Sequence, residues 1–236
     1  MAKTGAQIEQ DVLDILVRDS TSAVTLADLA VKSAYTELQG FRDWDAQKKT
    51  YRRLSDVDYR FALPTTEGAF KSPRQLFRVK GTVLTSDLLP ALPSTDSINA
   101  SPFYRRTSFE EVLHQRAVVQ SQTNNSSTPN TILTQQQLYT IDNGFIEITP
   151  KVNDASNQFA LMYYAIIDYV DATADWFTNN CYEYLTLKAL IFMVTAMGEV
   201  DERVGSWRTL ANDSLKKCLG FDIALDIGGD SLVMRG

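Results

Sequence analysis

The last third of the chain holds the feature that most limits the fold, a predicted pair of packed helices over residues 178–219. The first helix is apolar on almost every side, which is typical of a helix surrounded by other elements. Gly198 follows its last apolar turn, where a left-handed cap is common. Asp201 and Glu202 then open a second, amphipathic helix. Its apolar residues recur at spacings of about three and four: Val200, Val204, Trp207, Ala211, Leu215 and Leu219. This pair carries no reactive arrangement of side chains, so we expect it to be a scaffold.

Composition limits the class of protein. The chain has 236 residues, of which 44% are hydrophobic and 22% charged, as in an ordinary globular protein. Its net charge of −6 argues against general nucleic-acid binding, which requires a basic face. The N-terminus lacks the apolar run of a signal peptide, and residues 185–197 are too short to cross a bilayer. We therefore expect a protein made in the cytosol, with no membrane partner. Cys181 and Cys218 are interpreted as reduced core residues in preference to a disulfide.

Hydrophobic spacing predicts three further helices. One covers residues 7–18, and a second covers residues 26–44, with Thr25 and Asp28 as its capping box. The third begins at Ser108, after a long connection over residues 85–106 that is rich in serine, proline, threonine and aspartate. The N-terminal pair and the C-terminal pair together predict a mainly helical core.

Alternating apolar residues predict two strands between the two helix pairs, at residues 59–63 and 77–83. A longer apolar and aromatic run at residues 159–170 predicts a buried strand. Asn143 and Gly144, between two apolar runs, predict a β-hairpin. The fold class predicted from the sequence is thus α+β, with a mainly helical core and a small antiparallel β-rich middle region. We expect a single domain over residues 1–219, in which the β-rich or inserted region covers about 54–170, and a C-terminal tail over 220–236.

The predicted tail begins after Gly220 and alternates apolar with polar residues. Its apolar members are Phe221, Ile223, Leu225 and Ile227. Such alternation predicts either an edge strand of the chain's own sheet or a strand that adds to another protein.

A dense basic cluster lies within residues 42–53 of this acidic chain. It consists of Arg42, Lys48, Lys49, Arg52 and Arg53. The cluster is interpreted either as a solvated loop or helix end, or as a surface that contacts an acidic partner or DNA phosphates.

The sequence contains no pattern typical of an enzyme. His114 is the single histidine and lies on a predicted helix without a nucleophile motif nearby. Asp168, Asp171 and Asp175 are close enough in sequence to suggest a metal, but the calcium-loop pattern is absent and carboxylates before a helix are common. We therefore predict no catalytic residue, no cofactor and no metal site.

The order of parts resembles a known family. Two N-terminal helices precede a strand that ends in Ala62-Leu63-Pro64, and a hairpin and an apolar strand with Tyr163 and Tyr164 follow. An apolar helix, a turn and helix beginning DERVGSW at Asp201, and a glycine-containing tail close the chain. From about residue 8 to 219 this layout resembles the bacteriophage head–tail connector adaptors, which attach beneath the portal ring. Residues 85–137 look like an insertion relative to shorter members.

The resemblance implies a structural virion protein at the head–tail junction, made in the cytoplasm of a host bacterium. Similar proteins form a ring, usually twelve-fold, that extends the DNA channel and offers a platform to the tail or nozzle protein. Their C-terminal tail docks on the portal protein, a role that would fall to the four apolar tail residues. Double-stranded DNA would pass through the ring without sequence recognition, and an acidic wall would repel its phosphates.

Two other functions remain open from the sequence. One is a tail-terminator or stopper protein, a class usually built around a β-barrel. The other is a small nucleic-acid-binding packaging factor that uses the basic cluster.

Overall fold

The computed structural model describes residues 3–54, 60–65, 68–80, 103–125, 137–149, 157–199 and 201–230. Within these ranges the helices are α1 (Gly5–Leu16), α2 (Thr21–Phe41), α3 (Phe109–Asn125), α4 (Trp176–Asn180), α5 (Tyr182–Ala196) and α6 (Val204–Asp230). The strands are β1 (Lys48–Leu54), β2 (Arg60–Ala62), β3 (Ala69–Lys80), β4 (Phe103–Arg106), β5 (Leu138–Asp142), β6 (Phe145–Thr149) and β7 (Asn157–Ile166). A short 3-10 turn covers Asp45–Gln47.

The chain divides into two compact units. The helical unit combines Met1–Gln47 with Ile166–Gly236, and the β unit is Lys48–Ala165. Each unit has its own core of buried apolar side chains. The boundary expected at residues 219 and 220 falls inside α6, so it does not separate two structural elements.

The predicted fold class was wrong about the middle of the chain, which is not a small antiparallel region. The β unit contains a seven-stranded sheet in the order β1-β7-β3-β4-β5-β6-β2. The sheet is mixed, because β4 pairs in parallel with β5 while its pairing with β3 is antiparallel. Two of the strands, β1 with the sequence KKTYRRL and β4 with FYRR, are too basic to show an apolar alternation. For that reason the sequence pattern did not reveal them.

The hairpin predicted at Asn143 and Gly144 is confirmed. The two residues connect β5 to β6, and Asp142 pairs with Phe145 across the turn. Asn143 has φ 45° and Gly144 has φ 80°, the left-handed conformations that a tight two-residue hairpin turn requires. The predicted helix at Ser108 is also confirmed as α3, which packs on β5 and β6.

The two N-terminal helices are confirmed, although both begin and end earlier than residues 7–18 and 26–44, the ranges predicted from the sequence. Thr4 caps α1, because its hydroxyl accepts a hydrogen bond from the Gln7 N–H while the Gln7 side chain accepts one from the Thr4 N–H. Ser20 caps α2 by accepting from the Ala23 N–H at 3.3 Å, so α2 begins at Thr21 and not after Thr25.

The scaffold pair of helices is confirmed, and α5 is its buried member. Leu185, Ala189, Leu190, Met193 and Val194 of α5 are almost fully buried in the core of the helical unit. Full burial of one such aliphatic side chain stabilises the fold by about 1.5–3 kcal/mol. No helix in the described part of the chain combines the length and hydrophobicity needed to span a bilayer.

The predicted strand over Phe221, Ile223, Leu225 and Ile227 was wrong, because α6 continues through Gly220 to Asp230. The inward face of α6 consists of the buried residues Trp207, Ala211, Ser214, Cys218 and Asp222. This spacing of three and four residues extends past Gly220, although a glycine inside a helix costs about 1 kcal/mol relative to alanine. Asp222 offsets that cost by accepting a hydrogen bond from the Asp45 N–H at 2.7 Å and forming an ion pair with Arg42 at 3.2 Å.

Candidate docking surface

An open apolar groove lies between α1, α5 and α6 of the helical unit, with a volume of about 430 Å³. We call it the α1–α5–α6 groove. Its apolar lining residues are Ile15, Tyr182, Leu187, Leu190, Trp207 and Leu210. Ile15 is 42% exposed and Leu210 is 50% exposed, although both are aliphatic. Concave apolar surface left in water is a typical docking site for a partner.

The groove arises because each helix contributes residues from the edge of its buried face. Ile8 and Val12 of α1 are fully buried, but Ile15, almost two turns beyond Ile8, turns out toward the groove. Likewise Trp207 is buried on the inward face of α6, and Leu210, three residues later, lies at the rim of that face. The apolar character of α5 on nearly every side supplies the floor.

Three carboxylates surround the apolar lining: Asp11, Asp14 and Glu183. Asp11 forms an ion pair with Lys3, and Glu183 accepts a hydrogen bond from the Lys217 ammonium at 3.0 Å. Hydrogen bonds from Lys217 and Ser214 lower the pKa of Glu183, so this side chain is ionised at neutral pH. Asp14 accepts from the Gln10 amide at 2.7 Å, and its contacts within the described residues include no cation. The rim therefore suits an apolar segment that also carries a positive charge.

The four apolar residues of the predicted tail belong to α6. Phe221 is 51% and Ile223 is 50% exposed, on either side of the buried Asp222. The side chains of Leu225 and Ile227 lie outside the described residues. In a helix the backbone N–H groups donate hydrogen bonds to carbonyls of the same helix. Residues 221–227 therefore cannot pair as a strand with the sheet of another protein. Phe221 and Ile223 nevertheless remain exposed apolar residues, and their docking to a portal stays a prediction.

The basic cluster predicted from the sequence is divided between the two units. Arg42 follows α2, lies against the Trp44 ring and forms an ion pair with Asp222, so it serves the helical unit. Lys48 and Lys49 begin β1 of the β unit, paired with Tyr164 and Tyr163 of β7. Consecutive strand residues point to opposite faces, so these two lysines do not share a face. The remaining members, Arg52 and Arg53, continue β1, and their side chains lie outside the described residues.

A second group of charges lies where α1, α2 and the segment before α4 meet. The carboxylates of Glu9, Asp28 and Asp171 each offer an oxygen within 4.8 Å of the others. The Lys32 ammonium lies 2.7 Å from Asp28 and provides a positive charge there. Burial raises the pKa of Glu9, and the negative charges of Asp171 and Asp28 add to this rise, whereas a hydrogen bond from the Tyr169 hydroxyl opposes it. The Lys32 ammonium thus offsets part of the negative charge of the three carboxylates.

The aspartates weighed as metal ligands in the sequence do not form one site. Asp171 joins the carboxylate cluster just described, and Asp168 is exposed. Asp175 caps α4 by accepting a hydrogen bond from the Thr178 N–H at 2.8 Å, and it also accepts a hydrogen bond from the Tyr35 hydroxyl. His114 is exposed on α3 of the β unit.

The two cysteines are buried free thiols in the core of the helical unit. A hydrogen bond with Cys218, together with burial, raises the pKa of the Cys181 thiol. The Cys218 thiol in turn donates to the Asn180 carbonyl at 3.8 Å. These contacts give both thiols a packing role.

Charge is distributed unevenly between the two units. The helical unit has 10 of the 23 basic residues and 19 of the 29 acidic residues, and the β unit has the remaining 13 and 10. The formal charges are therefore −9 and +3. The acidic groove thus belongs to the acidic unit, and the basic residues are enriched in the other.

Comparison with known proteins adds no relative, since no family model and no curated protein matches the chain. The function must be argued from the groove, its acidic rim and the exposed apolar residues of α6. The groove was not predictable from sequence spacing, because its walls come from residues 11–15, 182–190 and 207–210.

Proposed function

We propose that the chain is a structural virion protein, a head–tail connector adaptor of a bacteriophage. In this function it assembles as a homo-oligomeric ring beneath the portal, extends the DNA channel and provides the attachment platform for the tail or nozzle. The observation that carries the proposal is the apolar surface that the helical unit exposes to water in the α1–α5–α6 groove and at Phe221 and Ile223. Binding of a protein partner would remove this apolar surface from water, and its burial would contribute favourable free energy to the association.

The environment of the titratable groups supports a structural function. Burial strongly raises the pKa values of Tyr35, Tyr169 and Tyr184, and neighbouring carboxylates add to the rise. These carboxylates belong to Asp175, Glu9 and Glu37, respectively. A hydrogen bond with Cys218, together with burial, raises the pKa of the Cys181 thiol. None of these residues lines the groove. The groove itself is lined mostly by apolar carbon atoms and by three carboxylates. This lining favours a binding surface over a catalytic site.

The charge distribution supports assembly with DNA nearby. An acidic helical unit and a basic β unit on neighbouring copies attract each other, which favours a head-to-tail contact of the kind that closes rings. The net charge of −6 also disfavours adhesion of DNA phosphates to the assembled protein.

The test is light scattering of the purified chain, alone and mixed with the portal ring of the virus that encodes it. We expect the portal to gain a ring's mass of protein, near twelve times 26.4 kDa. The double variant Phe221→Gln, Ile223→Gln should weaken this binding by roughly 10- to 100-fold, the effect of losing one or two apolar contacts. Leu29→Gln on α2, which is 54% exposed, is the matched control and should bind as the unaltered chain does. A portal that gains no mass from the unaltered chain would refute the proposal.

The second candidate is a tail-terminator or stopper protein, and the seven-stranded sheet of the β unit favours it. Proteins of that class would bind the end of an assembled tail tube. The discriminating measurement is co-sedimentation with purified tails in the absence of any portal. Binding to tails alone would favour the tail-terminator function over the adaptor.

A further inference from the structure

We infer that residues Leu232–Arg235 of one copy of this chain dock into the α1–α5–α6 groove of a second copy. The inference rests on the proposed function in one respect, the self-association of the chain. It adds the segment and the surface through which two copies meet.

The chemistry of the segment matches that of the groove. Directly after α6 the sequence reads Ser231-Leu232-Val233-Met234-Arg235, three apolar residues followed by one cation. The groove offers an apolar floor with Leu187, Leu190 and Leu210, and carboxylates at its rim. A segment of this composition would bury its apolar side chains on the floor of the groove. The arginine would then lie beside Asp14, whose described contacts leave its charge without a cation.

The length of α6 requires the groove to belong to a different copy. Leu210 lies 20 residues before Asp230 on this helix, a distance of about 30 Å at 1.5 Å per residue. Met234 is four residues beyond Asp230 and extends at most about 14 Å from it. The apolar residues of the segment therefore cannot return to the floor of their own groove, whereas the groove of a neighbouring copy is open to them.

This contact has a defined symmetry. Each copy offers one groove and one segment, and the two surfaces are different, so the contact is head-to-tail. Repetition of a head-to-tail contact gives a closed ring when its rotation closes, and an open filament when it does not. The contact thus supplies the kind of interface that a ring requires.

The experiment uses the full chain and measures mass as a function of concentration by analytical ultracentrifugation. The first variant lacks residues 231–236, which leaves every described residue in place. The second is Leu210→Gln, which alters the groove, and its matched control is Leu29→Gln, an equally exposed leucine on α2. We expect the first two variants to self-associate at least tenfold more weakly than the unaltered chain, and the control to associate normally.

Mixing then tests whether the contact joins two copies. The Leu210→Gln chain keeps its segment, and the shortened chain keeps its groove, so an equimolar mixture should form a 1:1 complex that neither forms alone. A charge exchange tests the rim: Arg235→Glu and Asp14→Arg should each weaken association, and a chain with both changes should recover most of it.

Three results would overturn the inference. The first is a shortened chain that self-associates as strongly as the unaltered chain, since the segment would then contribute nothing. The second is a mixture of the two variants that remains monomeric. The third is an unaltered chain that stays monomeric at every concentration. The portal-binding measurement, made in parallel, tests the adaptor function independently. A chain that stays monomeric alone but binds the portal would overturn only the contact between copies, and the adaptor function would stand.

Discussion

Replacement of Asp222 by alanine is the sharpest test of the helical unit. It distinguishes an α6 that continues past Gly220 from the strand that the sequence predicted for residues 221–227. The Asp222 carboxylate is almost completely buried, accepts from the Asp45 N–H at 2.7 Å and forms an ion pair with Arg42 at 3.2 Å. Loss of a hydrogen bond to a charged acceptor costs about 1.5–3 kcal/mol. The Arg42 side chain is 39% exposed, so its pair adds at most about 1 kcal/mol. We therefore expect Asp222→Ala to lower the free energy of unfolding by about 2–4 kcal/mol.

The assay exploits the positions of the tryptophans. All three, Trp44, Trp176 and Trp207, belong to the helical unit, so urea denaturation followed by tryptophan fluorescence reports on that unit. A decrease of about 2–4 kcal/mol in the free energy of unfolding would lower the urea midpoint by about 1–2 M. Asp222→Asn keeps an oxygen for the Asp45 N–H and should cost about half as much as alanine.

The control for this series is Asp213→Ala on the same helix. Asp213 is exposed and forms its ion pair with Lys216, three residues away, so its removal should leave the midpoint nearly unchanged. If Asp222→Ala unfolds at the same urea concentration as the unaltered chain, residue 222 does not join α6 to the turn before β1. The reasoning that overturned the predicted strand would then fail.

Two further predictions concern the carboxylate cluster and the hairpin. The Glu9 pKa is raised, so the folded state binds its proton more tightly than the unfolded state, and its contribution to stability falls as pH rises through 4.5 and above. Glu9→Gln keeps an acceptor for Tyr169 and removes repulsion from Asp28 and Asp171, so it should raise the melting temperature at pH 7 and have less effect at pH 4. Equal shifts at both pH values would contradict this account. Gly144→Ala places a Cβ on a backbone with φ 80°, where an L-residue is strained by about 1–3 kcal/mol. Hydrogen exchange at β5 and β6 should accelerate accordingly, and unchanged protection there would contradict the turn assignment.

The sequence predicted those elements whose signals are local. The Asn143–Gly144 turn needs only two residues with positive φ between apolar runs, and α5 needs only a long apolar stretch. Both were therefore predictable without any knowledge of their neighbours.

The elements that depend on distant partners were not predictable. β1 is stabilised by backbone pairing with β7, more than 100 residues away, and its basic side chains gave no sign of a strand. The part of α6 that follows Gly220 is held by the contact of Asp222 with Asp45, across 177 residues, and the local period of two in residues 221–227 gave no sign of that contact. The groove combines three helix edges, so no single segment carries its signature.

The buried thiols determine how this protein can be labelled. The nucleophile in thiol labelling is the thiolate, which attacks the electrophilic reagent. Burial of both thiols limits access of the reagent, and the raised pKa of Cys181 keeps its thiolate form scarce. A new cysteine at position 29 of α2, where the native leucine is exposed, would therefore react much faster than either native thiol. Fluorophores and cross-linkers can be attached there without first removing Cys181 and Cys218, so the native core of the helical unit stays intact in the labelled protein.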